Sequence, residues 1–493
     1  MKVSYKSGYL YYKKEGKHFR VSASDRNLKA LIKLGYDCKS VLTLGHRLTK
    51  PLYPYQFTSP LQAKEHGWNL LIADEMGVGK SLQAVACMVA SKAEKTLYIV
   101  PANIKYQWKR VIESSCHTQY RIYICEGQTF EYADAMHVKH ADIVIISYNL
   151  LDYWVDLFCK FKWDMMILDE AHKLKHTKSN CTKAAKLLRP HVNSCIGLSG
   201  TPLTDRTADI WNVVHLIDKT LFPSHFAFQQ RYCCNFVDQY NRNSQSANTL
   251  ELHDKLVNSG VMLRRTKKDV YAQQPKVNVE VVPFNVRSEV LTHLADEATK
   301  QSKWMLKQHG KDRGVSAFKV QQSLEQYLQE AIKLKLPLIV EWLNDLLEET
   351  DKKIVVACVH REKCGSILYE HFKDVAILVD GSSSAKQKDV LVEQFKRNDN
   401  VRMLIGNIQS IGTGLDGLQD VCSKMVICEL PWSPADLSQL IARLDRNGQR
   451  ETVEVSFMVV YDSIDEMLVR MLDRKKKITT EVLDGIAPGE KKL

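Results

Sequence analysis

One run of residues combines the types that a phosphate site needs, and it reads Asp74, Glu75, Met76, Gly77, Val78, Gly79, Lys80 and Ser81. The apolar residues 70–73 before it predict a buried strand, and the periodic residues 81–90 predict a helix. Glycines let backbone N–H groups curl around an anion, and the helix amino terminus adds its positive dipole end. Lys80 is placed to reach the β- and γ-phosphates of a nucleotide, and the Ser81 hydroxyl to ligate Mg²⁺. Asp74 stands where the usual pattern has its first glycine, so this window alone leaves a chance match open.

A second run supplies the carboxylates that nucleotide hydrolysis needs. The apolar residues 165–168 predict a strand, and it ends at two adjacent acids, Asp169 and Glu170. A carboxylate at a strand end can hold Mg²⁺, which makes Asp169 the candidate metal ligand beside Ser81. Glu170 is placed to orient and deprotonate the attacking water. An ordinary acidic turn is the alternative, but two complementary halves of one site in the expected order favour an ATPase.

A third set of candidates lies on a predicted helix near the carboxyl terminus. Gln439, Arg443 and Arg446 are spaced by four and three residues, so they share one helix face. Arginines on a buried face are costly unless they meet an anion. We expect that anion to be the γ-phosphate of ATP, with arginine stabilising the charge of the transition state. A surface helix with salt bridges is the alternative.

The composition is that of an ordinary globular protein. The 493 residues leave room for two or three domains, and 45% of them are hydrophobic. No apolar run reaches the ~18 residues of a membrane span, and residues 1–6 lack a signal-peptide pattern, so we expect no membrane partner. The 13 cysteines lack paired zinc spacing, which indicates a reduced compartment and no zinc. The net charge of +12 is spread along the chain and favours a nucleic-acid partner.

Two series of apolar strands that alternate with helices predict the architecture. The first spans 47–270 and contains the phosphate loop and the acidic pair, and the second spans 351–480 and contains the arginine helix. Such alternation predicts an α/β fold with parallel sheets covered on both faces. Residues 271–350 are predicted to be a helical insertion between them, with Pro337 near the start of a helix. Residues 481–493 are predicted to be a basic tail.

Three further features bear on ligands. Residues 1–46 are predicted to form a small module with a hairpin and a short helix, whose tyrosines and basic residues suit either nucleic-acid contact or packing within the module. Gln56 follows an aromatic turn, where it can read an adenine or lie on the surface as an ordinary polar residue. The dense basic run that contains Arg264, Arg265 and Lys267 is either a DNA-phosphate contact or a solvated face.

In this order, the motifs resemble the superfamily 2 helicases, and specifically the Swi/Snf-type double-stranded-DNA translocases. The run from Asp74 to Ser81 is similar to that family's phosphate loop, which accounts for the missing first glycine. The other matching stretches are Pro54-Tyr55-Gln56 (Q motif), Val100-Pro101 with Gln107-Trp108 (motif Ia), Asp169-Glu170-Ala171-His172 (motif II), Ser199-Gly200-Thr201-Pro202 (motif III), Leu263-Arg264-Arg265-Thr266-Lys267, Asp380-Gly381-Ser382 (motif IVa), Gly412-Thr413-Gly414-Leu415-Asp416 (motif V) and residues 439–449 (motif VI).

The resemblance implies two RecA-like parallel-sheet lobes that use ATP and Mg²⁺, with a helical insertion between them and a small α+β N-terminal module. Catalytic roles are implied for Lys80, Asp169, Glu170, Gln439, Arg443 and Arg446. ATP contacts are implied for Gln56, for the whole phosphate loop, and for Gly414 and Asp416 of motif V. DNA contacts are implied for Trp108, Thr201 and Ser382 as well as for the basic run.

The function implied is an ATP-dependent translocase that tracks along duplex DNA and remodels branched DNA by fork regression and branch migration. The expected partners are double-stranded and branched DNA, and the sequence identifies no protein partner. An RNA helicase of the same superfamily, a chromatin-remodelling-type ATPase and a DNA-binding scaffold with a silent ATP site are the alternatives. A cytoplasmic location in a bacterium or a phage-infected host is expected, or a nuclear one in a eukaryote. Lys388 and Asp416 depart from the family's usual arginine and asparagine, which affects individual contacts.

Overall fold

The structure, a computed structural model, describes residues 3–6, 9–14, 17–22, 47–203, 207–233, 247–270, 276–286, 312–379, 385–412, 415–446, 448–460 and 482–484, with a few further residues within 289–293, 381–383 and 463–472. The chain divides into two compact units. Lobe 1 comprises Met1–Cys234, Ser246–Ala272 and Ile478–Leu493, and lobe 2 comprises Asn235–Gln245 and Gln273–Lys477. Each lobe contains a parallel sheet with helices, which confirms the predicted α/β fold class with two RecA-like lobes.

The N-terminal segment forms a three-stranded antiparallel sheet. Its strands are β1 (Val3–Lys6), β2 (Tyr9–Lys14) and β3 (Lys17–Ser22). β2 pairs with β3 in register from Tyr9↔Ser22 to Lys14↔Lys17, which confirms the predicted hairpin, and β1 adds to the free edge of β2. The short helix predicted after the hairpin lies outside the described residues.

The central sheet of lobe 1 has seven strands, and all of its neighbouring pairs are parallel. The strands are β4 (Leu70–Ile72), β5 (Thr96–Val100), β6 (Ile122–Ile124), β7 (Ile143–Ser147), β8 (Trp163–Asp169), β9 (Val192–Leu198) and β10 (Met262–Leu263). They lie in the order β10-β4-β9-β8-β5-β7-β6. Parallel strands end at the same sheet edge, so the residues that follow β4, β9 and β8 lie side by side.

Helices cover both faces of this sheet. They are α1 (Thr58–Glu65), α2 (Lys80–Ser91), α3 (Lys105–Ser115), α4 (Tyr132–His140), α5 (Tyr148–Phe158), α6 (Asn180–Leu188), α7 (Ala208–Ile217), α8 (His225–Tyr232), α9 (Thr249–Asn258) and α10 (Lys267–Val270), with 3₁₀ helices at Pro54–Phe57, Ala102–Ile104, Ala171–Leu174 and Arg189–His191. Successive strand residues face opposite sides. Leu71 therefore packs in one apolar cluster, while Leu70 and Ile72 pack in the other.

Lobe 2 is built on a six-stranded parallel sheet in the order β11-β16-β15-β12-β14-β13. Its strands are β11 (Val277–Phe284), β12 (Lys353–Cys358), β13 (Ala376–Val379), β14 (Met403–Asn407), β15 (Cys422–Ile427) and β16 (Val453–Val460). Its helices are α11 (Asp312–Glu349), α12 (Ser366–Phe372), α13 (Ala385–Arg397), α14 (Ile408–Gly412) and α15 (Pro434–Ile441), with a π-helical turn at Arg361–Gly365 and a 3₁₀ helix at Leu418–Asp420.

The long helix α11 corrects one sequence-based expectation. Pro337 lies in the interior of this 38-residue helix and not near its start. A proline there removes one intrahelical hydrogen bond, and packing has to offset that loss. Ile339 and Leu343, which follow it at helical spacing, are fully buried. Lys335, two residues before Pro337, is also buried and forms an ion pair with Asp465 at 2.9 Å. This pair attaches the helix to the segment after β16.

Two of the predicted domain boundaries differ from the structure. The segment 271–350 was expected to be helical, but β11 lies in it and pairs along its whole length with β16. The tail 481–493 was expected to be a basic extension, but Val482 and Leu483 are fully buried in the apolar core of lobe 1. The segment Val482–Asp484 is held there by polar contacts as well, because His253 Nδ1 lies 3.0 Å from the Val482 carbonyl oxygen.

In the part of the chain that the structure describes, no helix has the length and apolarity to span a membrane. Within the same residues, no group of three or more His, Cys, Asp or Glu side chains is arranged to hold a metal ion. The cysteines that the structure describes are free thiols, and most of them are buried.

The docking of the C-terminal segment predicts a stability effect. Leu483→Ala should lower the free energy of unfolding of lobe 1 by ~2–4 kcal/mol, because it removes a fully buried side chain and leaves a cavity. The matched control is Leu187→Ala, the same change at a side chain on α6 that is 62% exposed. Denaturant titrations of both variants check the prediction, and equal small losses would show that the segment does not dock in solution.

Candidate nucleotide site

The phosphate loop leaves β4 and enters α2 through two glycines in the left-handed region. Gly77 has φ 85° and Gly79 has φ 81°, a conformation that residues with a side chain rarely adopt. A Cβ on Gly79 would also lie 2.5 Å from Nε2 of Gln56, so the space beside this residue admits no side chain. Both glycines of the predicted motif are therefore required by the backbone. Ser81 occupies the first turn of α2, directly after Lys80.

Lys80 is held against the loop by backbone carbonyls. Its Nζ donates hydrogen bonds to the carbonyl oxygens of Asp74 (2.9 Å) and Glu75 (3.2 Å). Burial lowers the pKa of Lys80, while the carboxylates of Glu170 and Asp74 oppose this shift. A half-buried cation near carboxylates and carbonyls suits the anionic phosphates of a nucleotide.

The Asp74 carboxylate does not face a phosphate position but pairs with a buried arginine. Arg265 Nε donates to Asp74 Oδ1 at 3.0 Å, and its Nη2 donates to Oδ2 at 2.5 Å. Asp74 is fully buried, and Arg265 is 9% exposed. The Gln83 side-chain amide on α2 adds a third donor to Asp74, at 2.9 Å. The sequence predicted an ATP contact for Asp74; the structure gives its side chain a role inside the lobe.

Arg265 uses its remaining donors on the segment that precedes the sheet. It donates to the Tyr55 carbonyl oxygen, to Thr58 Oγ1 at 2.7 Å and to Ser59 Oγ at 3.3 Å. Its guanidinium also lies over the Tyr55 ring, 5.1 Å from the centroid. A planar fork of five N–H donors suits such a set of fixed acceptors. Arg265 therefore joins β10, the phosphate loop and the Q motif.

These contacts correct the prediction that the basic run faces DNA. Arg264 Nε pairs with Asp484 at 2.8 Å, and its Nη1 donates to the Ala73 carbonyl oxygen at 2.7 Å. Lys267 is 4% exposed. The density of charge in this run suggests a surface, but Arg265 and Lys267 are buried, Arg264 is half-buried, and their described contacts lie within lobe 1.

Gln56 and Tyr55 also contact the phosphate loop. Gln56 is 2% exposed, and its Nε2 donates to the Gly79 carbonyl oxygen at 3.3 Å. Its Oε1 accepts from the Tyr53 backbone N–H at 2.9 Å. The Tyr55 hydroxyl donates to the Val78 carbonyl oxygen at 3.0 Å. These bonds exclude the alternative of a surface polar residue at Gln56, and its role in reading adenine stays a prediction.

The acidic pair stands at the carboxyl end of β8. Asp169 Oδ1 accepts from the backbone N–H of Glu170 at 2.9 Å, and Oδ2 accepts from the indole N–H of Trp108 at 2.7 Å. The Tyr148 hydroxyl donates to the Asp169 carbonyl oxygen at 2.7 Å. Burial and the neighbouring Glu170 carboxylate raise the pKa of Asp169 to about 7, and the Trp108 bond opposes this rise. Trp108 is 3% exposed, so the structure does not support its predicted contact with DNA.

Glu170 has a backbone conformation that indicates a functional constraint. Its φ of 49° places it in the left-handed region, which is uncommon for a residue with a side chain and often marks an active site. Its Oε2 lies 3.3 Å from Nδ1 of His172, and the same nitrogen lies 3.1 Å from Oγ of Ser199. The loop after β9 thus contacts motif II.

The same loop approaches the phosphate loop. A Cβ on Gly200 would lie 2.5 Å from Met76 Cγ and 3.2 Å from Lys80 Nζ, so a side chain at this residue would displace Met76. Thr201 is 9% exposed, and its Oγ1 has no hydrogen-bond partner among the described residues. Its predicted DNA contact stays a prediction.

The side chains predicted to share one helix face do not lie on one helix, because α15 ends at Ile441 and both Arg443 and Arg446 follow it. The two arginines lie around motif V instead. Arg446 Nη1 pairs with Asp416 Oδ1 at 2.5 Å. Arg443 Nε donates to the Gly412 carbonyl oxygen at 2.9 Å, and its Nη1 donates to that of Leu415 at 3.0 Å. Gln439 is 9% exposed on α15. The structure therefore brings Arg443, Arg446 and Asp416 together within lobe 2. Gly414 and Ser382 lie outside the described residues.

Sequence reasoning missed the residues that support the site. Trp108 and Tyr148 both bond Asp169, and Arg265 pairs with Asp74, yet none of these contacts was predicted. A signal existed for the last one, because an acidic residue directly after a buried strand requires a cation or several donors. Trp108 follows β5, which pairs with β8, and Tyr148 follows β7, the next strand beyond β5, but their side-chain directions depend on packing.

The buried ion pair predicts a stability effect. Arg265→Met should lower the free energy of unfolding by ~3–5 kcal/mol, because it leaves the Asp74 carboxylate buried without its cation. Adding Asp74→Asn removes that charge and should restore part of the loss. Urea titrations of the single and double variants test the pair. The corresponding DNA test measures how the logarithm of DNA affinity falls with the logarithm of salt concentration. A phosphate contact by Arg265 would make this slope shallower by ~0.9 in Arg265→Met. We expect no such difference between Arg265→Met and Lys268→Met, a control variant at an exposed residue of the same run.

Comparison with known proteins agrees with this geometry. Residues 23–332 match the SNF2-related domain, and residues 338–448 match the helicase conserved C-terminal domain. The chain is 27% identical over 441 residues to a SWI/SNF-related matrix-associated actin-dependent regulator of chromatin subfamily A-like protein 1 homolog of Caenorhabditis elegans, which covers 88% of this chain and 62% of that protein. It is 26% identical over 464 residues to the human DNA annealing helicase and endonuclease ZRANB3, covering 90% of this chain and 41% of that protein.

A solved structure shows the same fold. The helicase domain of Pyrococcus furiosus Hef superposes with a TM-score of 0.51 at 15% identity, over 84% of this chain and 97% of that one. The chain spans about two fifths to three fifths of the length of the curated relatives named above. The SNF2-related match alone covers more than half of the residues, and the predicted family resemblance is confirmed: the chain belongs to the SNF2-related family and carries a helicase C-terminal domain.

Proposed function

We propose that this chain is an ATP-hydrolysing, DNA-dependent translocase that remodels branched DNA. The observation that carries the proposal is the meeting of three motifs at one edge of the lobe 1 sheet. Lys80 interacts electrostatically with Glu170 and Asp169. The loop after β9 lies against both the phosphate loop and motif II, through Gly200 and Ser199.

The residues at this edge fit a nucleotide with Mg²⁺. Two glycines in the left-handed region, the half-buried Lys80 and the amino terminus of α2 form a cradle for phosphates. Asp169 and Ser81 are hard oxygen donors, which Mg²⁺ prefers. Mg²⁺ in this place would neutralise phosphate charge and polarise the bond to be broken. Gln56 is the proposed adenine contact.

Glu170 is the proposed base for the attacking water. Its left-handed backbone sets the direction of the side chain after β8, and His172 lies at its Oε2. A carboxylate in this position can orient water and accept its proton. Arg446 is proposed to stabilise the transition-state charge, and supporting catalytic roles are proposed for Arg443 and Gln439. For Arg446 to act in this way, its ion pair with Asp416 has to open, and such a half-exposed pair is weak.

DNA is the proposed partner because the net charge is +12 and the relatives are named for chromatin regulation and DNA annealing. We propose mostly phosphate contacts, which are independent of sequence and steep in salt. Thr201 and Ser382 remain proposed contacts, whereas Trp108 and Arg265 are not. An RNA helicase is the second candidate on fold alone, and the alternative of a chromatin-remodelling-type ATPase shares the site described here.

Branched DNA is proposed on energetic grounds. Pushing a junction exchanges equal numbers of base pairs, whereas unwinding a long duplex loses a stacking step of ~1.4 kcal/mol for each base pair. A translocase that tracks along a duplex therefore moves a branch at little net cost. The name of the human relative, an annealing helicase, supports this choice.

The first test separates nucleotide binding from hydrolysis. Glu170→Gln should bind ATP with nearly unchanged affinity and hydrolyse it at least ~10²-fold more slowly, because it lacks the proton acceptor. Calorimetry and a phosphate-release assay measure the two quantities. Glu113→Gln on α3 is the matched control, since it makes the same change at an exposed side chain and should act as wild type. Wild-type turnover in Glu170→Gln would contradict the assignment.

The second test concerns the DNA substrate. With ATP, we expect the full chain to regress forks and migrate four-way junctions efficiently and to unwind long blunt duplexes poorly. The ATPase rate on single-stranded DNA, duplex, forked DNA and structured RNA is measured beside it, with Glu170→Gln as the inactive control. Efficient blunt-duplex unwinding without junction activity would contradict branch remodelling, and stimulation by RNA alone would favour the RNA helicase.

A further inference from the structure

A buried tryptophan contacts the candidate metal ligand. The indole N–H of Trp108 donates to Asp169 Oδ2 at 2.7 Å, a short bond of the charge-assisted type. Trp108 lies on α3, which follows β5, and β5 pairs with β8 in the sheet. The tryptophan therefore reaches the end of β8 from the neighbouring strand connection.

The position of the indole ring is fixed by packing. Trp108 is 3% exposed, and its ring lies 5.1 Å from the ring of Tyr98, which is itself fully buried on β5. The Tyr98 hydroxyl in turn contacts Met88 Sδ at 3.4 Å on α2. The N–H is thus presented to the carboxylate by a rigid group, and it needs little rearrangement to keep its direction.

The lone pairs of Asp169 show what this bond leaves open. Among the residues that the structure describes, Oδ1 accepts one hydrogen bond, from the backbone N–H of Glu170, and Oδ2 accepts one, from Trp108. Each carboxylate oxygen has two lone pairs. One direction on each oxygen therefore remains for a cation or its water ligands, while the two bonds fix the plane of the carboxylate.

We propose that Trp108 is a positioning residue for the metal site, and that its indole N–H orients the Asp169 carboxylate for Mg²⁺ bound with nucleotide. The proposal rests on the ATPase function proposed above, and it replaces the predicted DNA contact of this residue. Removal of a group that hydrogen-bonds a metal ligand without contacting the metal commonly lowers metal affinity by ~10–100-fold. Because the indole N–H of Trp108 is used by the Asp169 carboxylate, its loss should act on Mg²⁺ dependence more than on nucleotide binding without metal.

Lobe 1 offers matched controls. Trp154 and Trp163 are also fully buried and donate their indole N–H groups to backbone carbonyl oxygens, of Gly127 at 3.1 Å and of Phe158 at 3.0 Å. A change to phenylalanine at either residue removes the same N–H and a similar volume, but it touches no carboxylate. A general weakening of the lobe therefore appears in all three variants, whereas a metal effect appears only in Trp108→Phe.

The experiment titrates Mg²⁺ in the full chain. Trp108→Phe should raise the Mg²⁺ concentration for half-maximal ATP hydrolysis by ~10–100-fold, and the control variants should leave it within about twofold of wild type. Calorimetry with ADP, with Mg²⁺ and with EDTA, adds a readout that does not require turnover. The Mg²⁺-dependent gain in ADP affinity should shrink in Trp108→Phe, and affinity in EDTA should not change.

A second variant separates the N–H from the packing. Trp108→His keeps a ring N–H donor in a smaller side chain, so its Mg²⁺ midpoint should lie between those of wild type and Trp108→Phe. A shift in Trp108→Phe no larger than in Trp154→Phe, or equal impairment of Trp108→His, would overturn the proposal. If the wild-type protein hydrolyses no ATP, that result contradicts the proposed ATPase function. The ADP titrations still test the role of Trp108, because they do not require turnover.

Discussion

The buried carboxylate of Asp74 is the constraint on which the nucleotide edge of lobe 1 depends. It directly follows β4 and is fully buried, so its charge needs a cation inside the protein. Arg265 is that cation, although it lies 191 residues further along the chain. Its guanidinium leaves few donors unused, because it also bonds the Tyr55 carbonyl oxygen and Thr58. The position of the phosphate loop is thereby fixed by segments that precede and follow it in the chain.

The candidate phosphate and metal ligands were predictable because they lie in short contiguous sequence motifs. The glycines of the phosphate loop have the positive φ values that the pattern requires, Lys80 begins α2 after that loop, and Asp169 ends β8. The groups that orient these residues were not predictable in the same way. Trp108 lies 61 residues from Asp169 in the chain, and only the order of the strands brings the two together. The basic run at Arg265 was interpreted as a surface because its charges are dense. This interpretation fails because Arg265 pairs with the buried carboxylate of Asp74.

The errors in domain organisation have a similar cause. β11 alternates valine with polar residues, which is a strand pattern, but its partner β16 lies about 170 residues away and gives no local signal. Val482 and Leu483 are only two apolar residues, which is too short a run for any periodicity to show that they are core. Pro337 was used as a helix start because proline favours that position. In α11 the apolar contacts of the following turns outweigh the lost hydrogen bond, and the helix continues through it.

The position of Arg264 links the nucleotide edge to the end of the described chain. Its Nη1 donates to the carbonyl oxygens of Ala73, at the exit of β4, and of Gly200, at 3.3 Å in the motif III loop. Its Nε pairs with Asp484 in the C-terminal segment that docks on lobe 1. The Arg264 guanidinium thus bonds the carbonyl oxygens of Ala73 and Gly200 and also holds the C-terminal segment through Asp484. The N–H groups of Arg264 that bond the Gly200 loop and Asp484 belong to one planar guanidinium. A displacement of the Gly200 loop that moves this guanidinium therefore also changes its contact with Asp484. Arg264 therefore contacts both the C-terminal segment and the backbone beside the phosphate site, while its neighbour Arg265 pairs with Asp74 of the phosphate loop.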